Sequence, residues 1–217
     1  MAAMNSKYRN GFTLVELMMT VFVAGIVLGV GIPAFSQFIS TNQMAAAVND
    51  INSALHLART EAVKRRANVT VCPSTDWNSV APSCANAGSF EDGWIVFVDC
   101  TVAPPPVNTC GAPNYVVDAF DTVVNVHGPM IDAIADNFST NPGTPMYVAY
   151  SATGFPRQIA VGQPPKTDFQ LCDHRGNLDV GAGIAAGRWL RIGPTGRPQI
   201  YRHVADVQSG INPLGGC

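Results

Sequence analysis

From Leu17 to Phe35 the chain runs for 19 residues without a charge. As an α-helix at 1.5 Å per residue that is about 28 Å, enough to cross the hydrocarbon core of a bilayer. One carboxylate, Glu16, stands at the head of this run, and the next charged residue is Asp50. Lys7 and Arg9 precede it with no acidic residue beside them, a bias that keeps the first residues in the cytoplasm and sends the remainder outward. A cleaved secretory signal would have a shorter apolar stretch and a small-residue cleavage pattern before a polar mature start. Here the apolar run passes directly into further helical sequence. The expectation is a single-pass segment with the N-terminus inside.

The helix is expected to continue to about Ala67. Val48, Ile51, Leu55, Ala58 and Ala62 recur at steps of three and four residues, with Asn49, Asn52, Ser53, Arg59 and Glu61 on other faces. Lys64, Arg65 and Arg66 near its end suit the negative end of the helix dipole. After Asn68 the pattern changes to short β segments at 68–72, 94–99, 115–126, 146–151, 167–172, 188–192 and 198–203, separated by Pro- and Gly-rich turns. One long helix followed by antiparallel strands predicts an α+β fold, with the helix packed on an antiparallel sheet head. The strings Ser151–Ile159 (SATGFPRQI) and Gly193–Tyr201 (GPTGRPQIY) share a Thr-Gly-X-Pro core. Both read as hairpin turns in which Gly154 and Gly196 supply the permissive backbone.

Six cysteines, all after the apolar segment, lack the CxxC spacing of a zinc or redox site. With an exported domain they point to disulfides in an oxidising space. Sequence order suggests Cys72–Cys84, Cys100–Cys110 and Cys172–Cys217, one of about fifteen connectivities open to six cysteines. Catalysis has little support. His56, His127, His174 and His203 are scattered, no Ser or Cys sits in a nucleophile turn, and Cys172-Asp173-His174 has no second ligand group at metal-binding spacing. No enzyme, cofactor or metal is expected.

Charge is uneven. Between Ala67 and Pro156 there is no Lys or Arg against eight acidic residues; from Arg157 to His203 there are seven basic residues and three acidic ones. Such runs are most often solvated surface; the sharper reading is a basic patch that meets an anionic partner.

The string Gly11-Phe12-Thr13-Leu14-Val15-Glu16-Leu17, behind a basic leader, resembles the class III signal of type IV pilins and type II secretion pseudopilins. The resemblance implies a leader of residues 1–11, removed by a prepilin peptidase between Gly11 and Phe12. It implies N-methylation of Phe12, a transmembrane and assembly helix over 12–39, and a periplasmic head over 40–217. Pro33 falls where many pilins carry a helix-kinking proline. Glu16 becomes the fifth residue of the mature chain, and the family's partner for it is the N-terminal amine of a neighbouring subunit. That pairing answers the cost of several kcal/mol that a lone carboxylate meets in hydrocarbon.

The head string LARTEAVKRRANVTVCPS, then GWIVFVD, then RWLRIGPTGRPQI, resembles the H-type minor pseudopilins of type II secretion and the FimT/FimU-type minor pilins of type IV pili. This implies a structural subunit at or near a filament tip that helps prime assembly, with other pilin subunits as partners. It starts in the inner membrane and ends in an extracellular filament. A pilus fits the cysteine-rich head and the Thr-Gly-Arg hairpin slightly better than a secretion machine.

The alternative is a DNA-binding minor pilin acting in DNA uptake. Members of that kind carry Gly-Arg-X-Arg near the C-terminus; here Gly196-Arg197-Pro198-Gln199 keeps the first arginine and replaces the second by Gln199. Arg157, Arg188, Arg191 and Arg202 would supply further contacts to double-stranded DNA, which needs several cations tracking phosphates.

Overall fold

The computed structural model describes residues 11–85, 88–99, 122–130, 137–141, 147–158 and 165–217. Lys7, Arg9, the expected Cys100–Cys110 bridge and most of the strand expected at 115–126 lie outside them. The chain divides into two compact units, one ending at Ile39 and the other running from Ser40 to Cys217.

The first unit is helical from Leu14, the start of α1 (Leu14–Arg65). Its apolar side chains from Leu14 to Phe38 are exposed. By length and composition this helix contains a window able to cross a membrane, and none of that window is buried within the protein. Pro33 sits inside the helix, where its ring removes the N–H that would bond to the carbonyl four residues earlier.

In the second unit α1 buries Met44, Ala47, Val48, Ile51, Ala54, Leu55, Ala58 and Ala62. These positions follow the helical repeat, and the four alanines let strands approach the helix closely. Among the described residues nine strands follow: β1 (Asn68–Pro73), β2 (Trp94–Asp99), β3 (Thr122–His127), β4 (Asn137–Asn141), β5 (Val148–Tyr150), β6 (Pro156–Arg157), β7 (Asp168–Cys172), β8 (Ile184–Ile192) and β9 (Pro198–His203). A single turn of helix, α2 (Val204–Val207), follows β9.

The described strands form two antiparallel sheets, ordered β3-β2-β1-β5-β6 and β4-β7-β8-β9. The fold is α+β with the helix packed on antiparallel sheet, as expected, and the described strands divide that sheet into two. Among the described residues the first sheet ends at β6, which is two residues long and begins with Pro156, a residue without an N–H for further pairing. Strand β8 begins at Ile184 rather than Arg188, because a register shift between Ile184 and Trp189 lets the strand continue through a bulge.

One core joins α1 to both sheets. Val69 and Val71 of β1, Trp94 and Val96 of β2 and Tyr150 of β5 meet the helix stripe together with Phe169, Leu171, Leu190 and Ile192 of the second sheet. Alternate residues face away, as a period of two requires. On the far side of the first sheet, Cys72, Cys84, Ile95, Phe97 and Tyr147 form their own cluster. On the far side of the second, Ala185, Trp189 and Val207 do so.

Side-chain contacts fix which strand ends lie at which end of the α1 portion in this unit. At the Thr41 end, Arg175 Nη1 donates to Thr41 Oγ1 at 2.9 Å, and His127 Nε2 lies 3.6 Å from Asp50 Oδ2. The His127 ring stacks on Trp94, 4.0 Å between centroids. At the Arg65 end, Arg59 reaches the loops after β5 and β8.

The irregular stretch after β1 is closed by Cys72–Cys84 and organised by Asp76. Its carboxylate accepts from Ser74 Oγ (2.8 Å), Ser83 N (2.8 Å) and Ser83 Oγ (2.9 Å). Burial acts to raise this carboxyl's pKa, and the bonds from Ser83 and Ser74 outweigh it, so Asp76 titrates below its ordinary value of 3.8. A carboxylate depressed in the folded state contributes stability above its unfolded pKa and loses it as pH falls through the folded one. Asp76→Asn is therefore expected to cost about 1–3 kcal/mol at neutral pH. The difference from the parent should shrink once pH drops below 3.8. Denaturant unfolding at the two pH values measures both.

Candidate assembly segment and basic turn surface

Gly11, Phe12 and Thr13 precede the helix, and Phe12 is 81% exposed. Thr13 caps α1: the Glu16 backbone N–H donates to Thr13 Oγ1 at 3.2 Å, and the Leu17 N–H donates to the Thr13 carbonyl at 3.1 Å. The cap fixes Glu16 in the first helical turn, where the positive end of the helix dipole favours an anion. The Glu16 side chain is exposed and meets no cation among the described residues. Thr13 is a site residue the sequence reading passed over, although Thr-X-X-Glu ahead of an apolar run is a helix-start signature.

The two Thr-Gly-X-Pro strings are hairpin turns, one in each sheet, linking β5 to β6 and β8 to β9. Gly154 and Gly196 both have left-handed backbone, φ +79° and +80°. The turns touch: a Cβ on Gly196 would strike the Gly154 carbonyl. Arg59 of α1 ties them, Nε donating to the Gly154 carbonyl and Nη2 to the Thr195 carbonyl, each at 3.1 Å. Beneath lies Tyr150, fully buried, whose hydroxyl has no hydrogen-bond partner among the described residues. Burial pushes that phenol well above its usual pKa, partly opposed by the charge of Arg59.

The five arginines proposed from sequence do not form one surface. Arg157 and Arg197 belong to the paired turns, and Arg197 is exposed. Arg191 lies at the same end, 3.6 Å from Asp168 Oδ1 and over the Trp189 ring at 5.6 Å. Asp168 also accepts from Trp189 Nε1 at 3.0 Å, so this arginine is held in a local network.

Arg188 and Arg202 lie at the opposite end of the second sheet, and Arg188 is corrected from a surface contact to a buried residue. It is 5% exposed, and its Nη1 donates to the carbonyls of Ala185, Ala186 (3.2 Å) and Gly187 (2.9 Å) in the β8 bulge. Burial, and then the charges of Arg175 and Arg202, hold its pKa below the ordinary arginine value. The bulge also makes room for the bridge between Cys172 and Cys217, since a Cβ on Gly187 would run into Cys217 Sγ. With Cys172 bonded and Asp173 carrying Arg175, the triplet Cys172-Asp173-His174 presents no free ligand set. Among the described residues no group of three His, Cys, Asp or Glu could hold a metal ion.

Comparison with known proteins follows the same two regions. The sequence model of the family described as type II transport protein GspH matches residues 47–196. The chain belongs to the GspH family. The prokaryotic N-terminal methylation motif matches residues 6–32, a span containing Gly11, Phe12 and Glu16. No curated protein matches the chain. Two crystal structures of the Pseudomonas aeruginosa type IV minor pilin FimU are similar. One has 18% identity, covering 76% of this chain and 92% of that one, with TM-score 0.44. The other has 17% identity, covering 72% and 91%, with TM-score 0.40. This GspH-family chain carries its methylation motif on an apolar N-terminal helix, the marks of a membrane-anchored pilin.

The Arg59 tie gives a test. Arg59→Met keeps most of the aliphatic stem and deletes both donors, leaving the buried Gly154 carbonyl without its partner. Unfolding free energy should fall by about 2 kcal/mol. Amide exchange should quicken at Gly154 and Gly196 together; an effect on one turn alone would contradict a shared clamp.

Proposed function

We propose that this chain is a minor subunit at or near the tip of a type IV pilus or a type II secretion pseudopilus, where it helps prime assembly. The observation that carries the reading is Glu16: a carboxylate fixed in the first turn of an otherwise apolar, exposed helix, with no cation against it among the described residues. In hydrocarbon such a charge costs several kcal/mol unless paired. Cleavage between Gly11 and Phe12 creates an α-amine one residue ahead of the Thr13 cap. Another protomer's amine, methylated on Phe12, then neutralises Glu16 when subunits pack with the correct stagger. Before assembly the chain is a single-pass inner-membrane protein, N-terminus cytoplasmic and head periplasmic. Its partners are the prepilin peptidase and then other pilin subunits.

Mass spectrometry of the protein from cells should find methylated Phe12 as the first residue. Glu16→Leu should insert and be cleaved normally yet be lost from filaments by tenfold or more, about the 1.4 kcal/mol or larger penalty of one missing ion pair in a poorly solvated site. Normal incorporation of the variant would reject the docking role.

A second reading, binding of double-stranded DNA, now rests on Arg157 and Arg197 together with Arg59 and the cations Lys64–Arg66, which share one end of the head. It predicts that the detergent-solubilised chain retards a DNA duplex at low salt. Arg197→Ala should weaken binding and lower the salt slope by about one. Arg188→Ala should leave binding unchanged once folding is matched.

A further inference from the structure

Helix α1 begins at Leu14, and Gly11, Phe12 and Thr13 ahead of it are not helical. Its first backbone bond runs from the Leu17 N–H to the Thr13 carbonyl at 3.1 Å. The next donor back is the Glu16 N–H, which would continue the ladder by bonding the Phe12 carbonyl four residues earlier. Instead it donates to the Thr13 hydroxyl oxygen at 3.2 Å. Among the described residues no backbone bond reaches the carbonyl of Gly11 or of Phe12. The bond between them stands open: a Cβ on Gly11 would meet nothing within 4 Å, and Phe12 is exposed.

Without the hydroxyl, the helix would have reason to wind further. The Glu16 N–H would pass to the Phe12 carbonyl, and the Val15 N–H would then face the Gly11 carbonyl. Apolar surroundings favour that winding, because it moves the unpaired N–H groups of the helix start out of hydrocarbon toward water. Gly11 opposes it through its poor helix propensity, but Phe12 has an ordinary one. The side-chain acceptor on Thr13 therefore decides on which side of the Gly11–Phe12 peptide the helix stops.

We propose that Thr13 is a positioning residue for prepilin processing: by holding the Glu16 N–H on its hydroxyl, it keeps the Gly11–Phe12 peptide unwound and open to the peptidase. The inference rests on the cleavage in the proposed function and deepens it. Hydrolysis adds water across this amide, leaving a carboxylate on Gly11 and the amine on Phe12. Attack needs the Gly11 carbonyl free of an intrahelical bond, and an extended backbone is the form an enzyme cleft can pair with. A helical Gly11 loses both. Thr13 acts here through the backbone and not by touching the scissile atoms. Glu16 contributes only its N–H to the cap, so Glu16→Leu keeps the stop and the normal cleavage expected of it.

The test follows the full chain in membranes containing the prepilin peptidase, each variant first checked for membrane insertion and the cleaved fraction read over time by mass spectrometry. Thr13→Val keeps the shape and removes the acceptor. It should be cleaved at least about fivefold more slowly, the scale of one lost N-cap. Thr13→Ser and Thr13→Asn retain an acceptor and should stay within about twofold of the parent. In detergent micelles the carbonyl carbon resonance of Gly11 should move toward its helical value in Thr13→Val and in neither of the others. Thr13→Val cleaved as fast as the parent would overturn the proposal. So would slow cleavage of both Thr13→Val and Thr13→Asn with an unmoved Gly11 resonance, which would mean that the peptidase reads the threonine itself. A parent chain left uncut before Phe12 removes the processing reading and this inference with it. A parent cut there, with Thr13→Val cut equally fast, removes this inference alone.

Discussion

One helix face has to cover two sheets, and the rest of the head follows from that. The buried residues of α1 alternate in size: Met44, Val48, Ile51 and Leu55 fill depth, while Ala47, Ala54, Ala58 and Ala62 let strands come close. Apolar contact of this kind is strong and non-directional. It would hold the sheets against the helix without deciding how their ends meet. Direction comes from polar contacts at either end of the stripe: Arg175 to Thr41 at one end, and Arg59 to Gly154 and Thr195 at the other. The aromatic ring of Phe90 bridges the sheets between them, edge-on to Phe169 at 6.0 Å and tilted on Trp94 at 6.1 Å.

What could be read from the sequence was whatever depends on local period. The stripe from Val48 to Ala62, the strands at 68–73, 94–99 and 198–203, and the paired Thr-Gly-X-Pro turns all have signals within a few residues. Contacts across 95 and 136 residues left no such trace, so Arg59 looked like any polar residue on a solvated helix face. Arg188 misled for a related reason. In a strand an arginine is usually exposed, but the β8 bulge presents three carbonyls to its guanidinium, and a bulge is a property of two strands together. The division into two sheets was hidden similarly, because strand order depends on partners that sequence does not name. Thr13 was legible and passed over, its cap overshadowed by the charge three residues on.

The stem poses a different problem. An apolar helix can satisfy every backbone group by itself, so nothing in its own fold requires Glu16. The Thr13 cap makes the carboxylate's position definite without giving it a partner among the described residues, and the cation that completes it must then come from elsewhere. In the assembly proposed here, the processing that the methylation motif over residues 6–32 implies would produce such a cation on every copy.

A carboxylate on one chain meeting an amine on another has a formal property. The two partners are different surfaces of the same kind of molecule. Self-complementary patches close into dimers and stop; unlike patches leave one of each pair unsatisfied at the ends, so addition can continue. The proposed contact is also electrostatic, so it would set stagger and polarity more than supply free energy. That division of labour suits a polymer whose cohesion comes from apolar helices, a contact strong in energy and poor in register. Charge at Glu16 would fix the register of the stems.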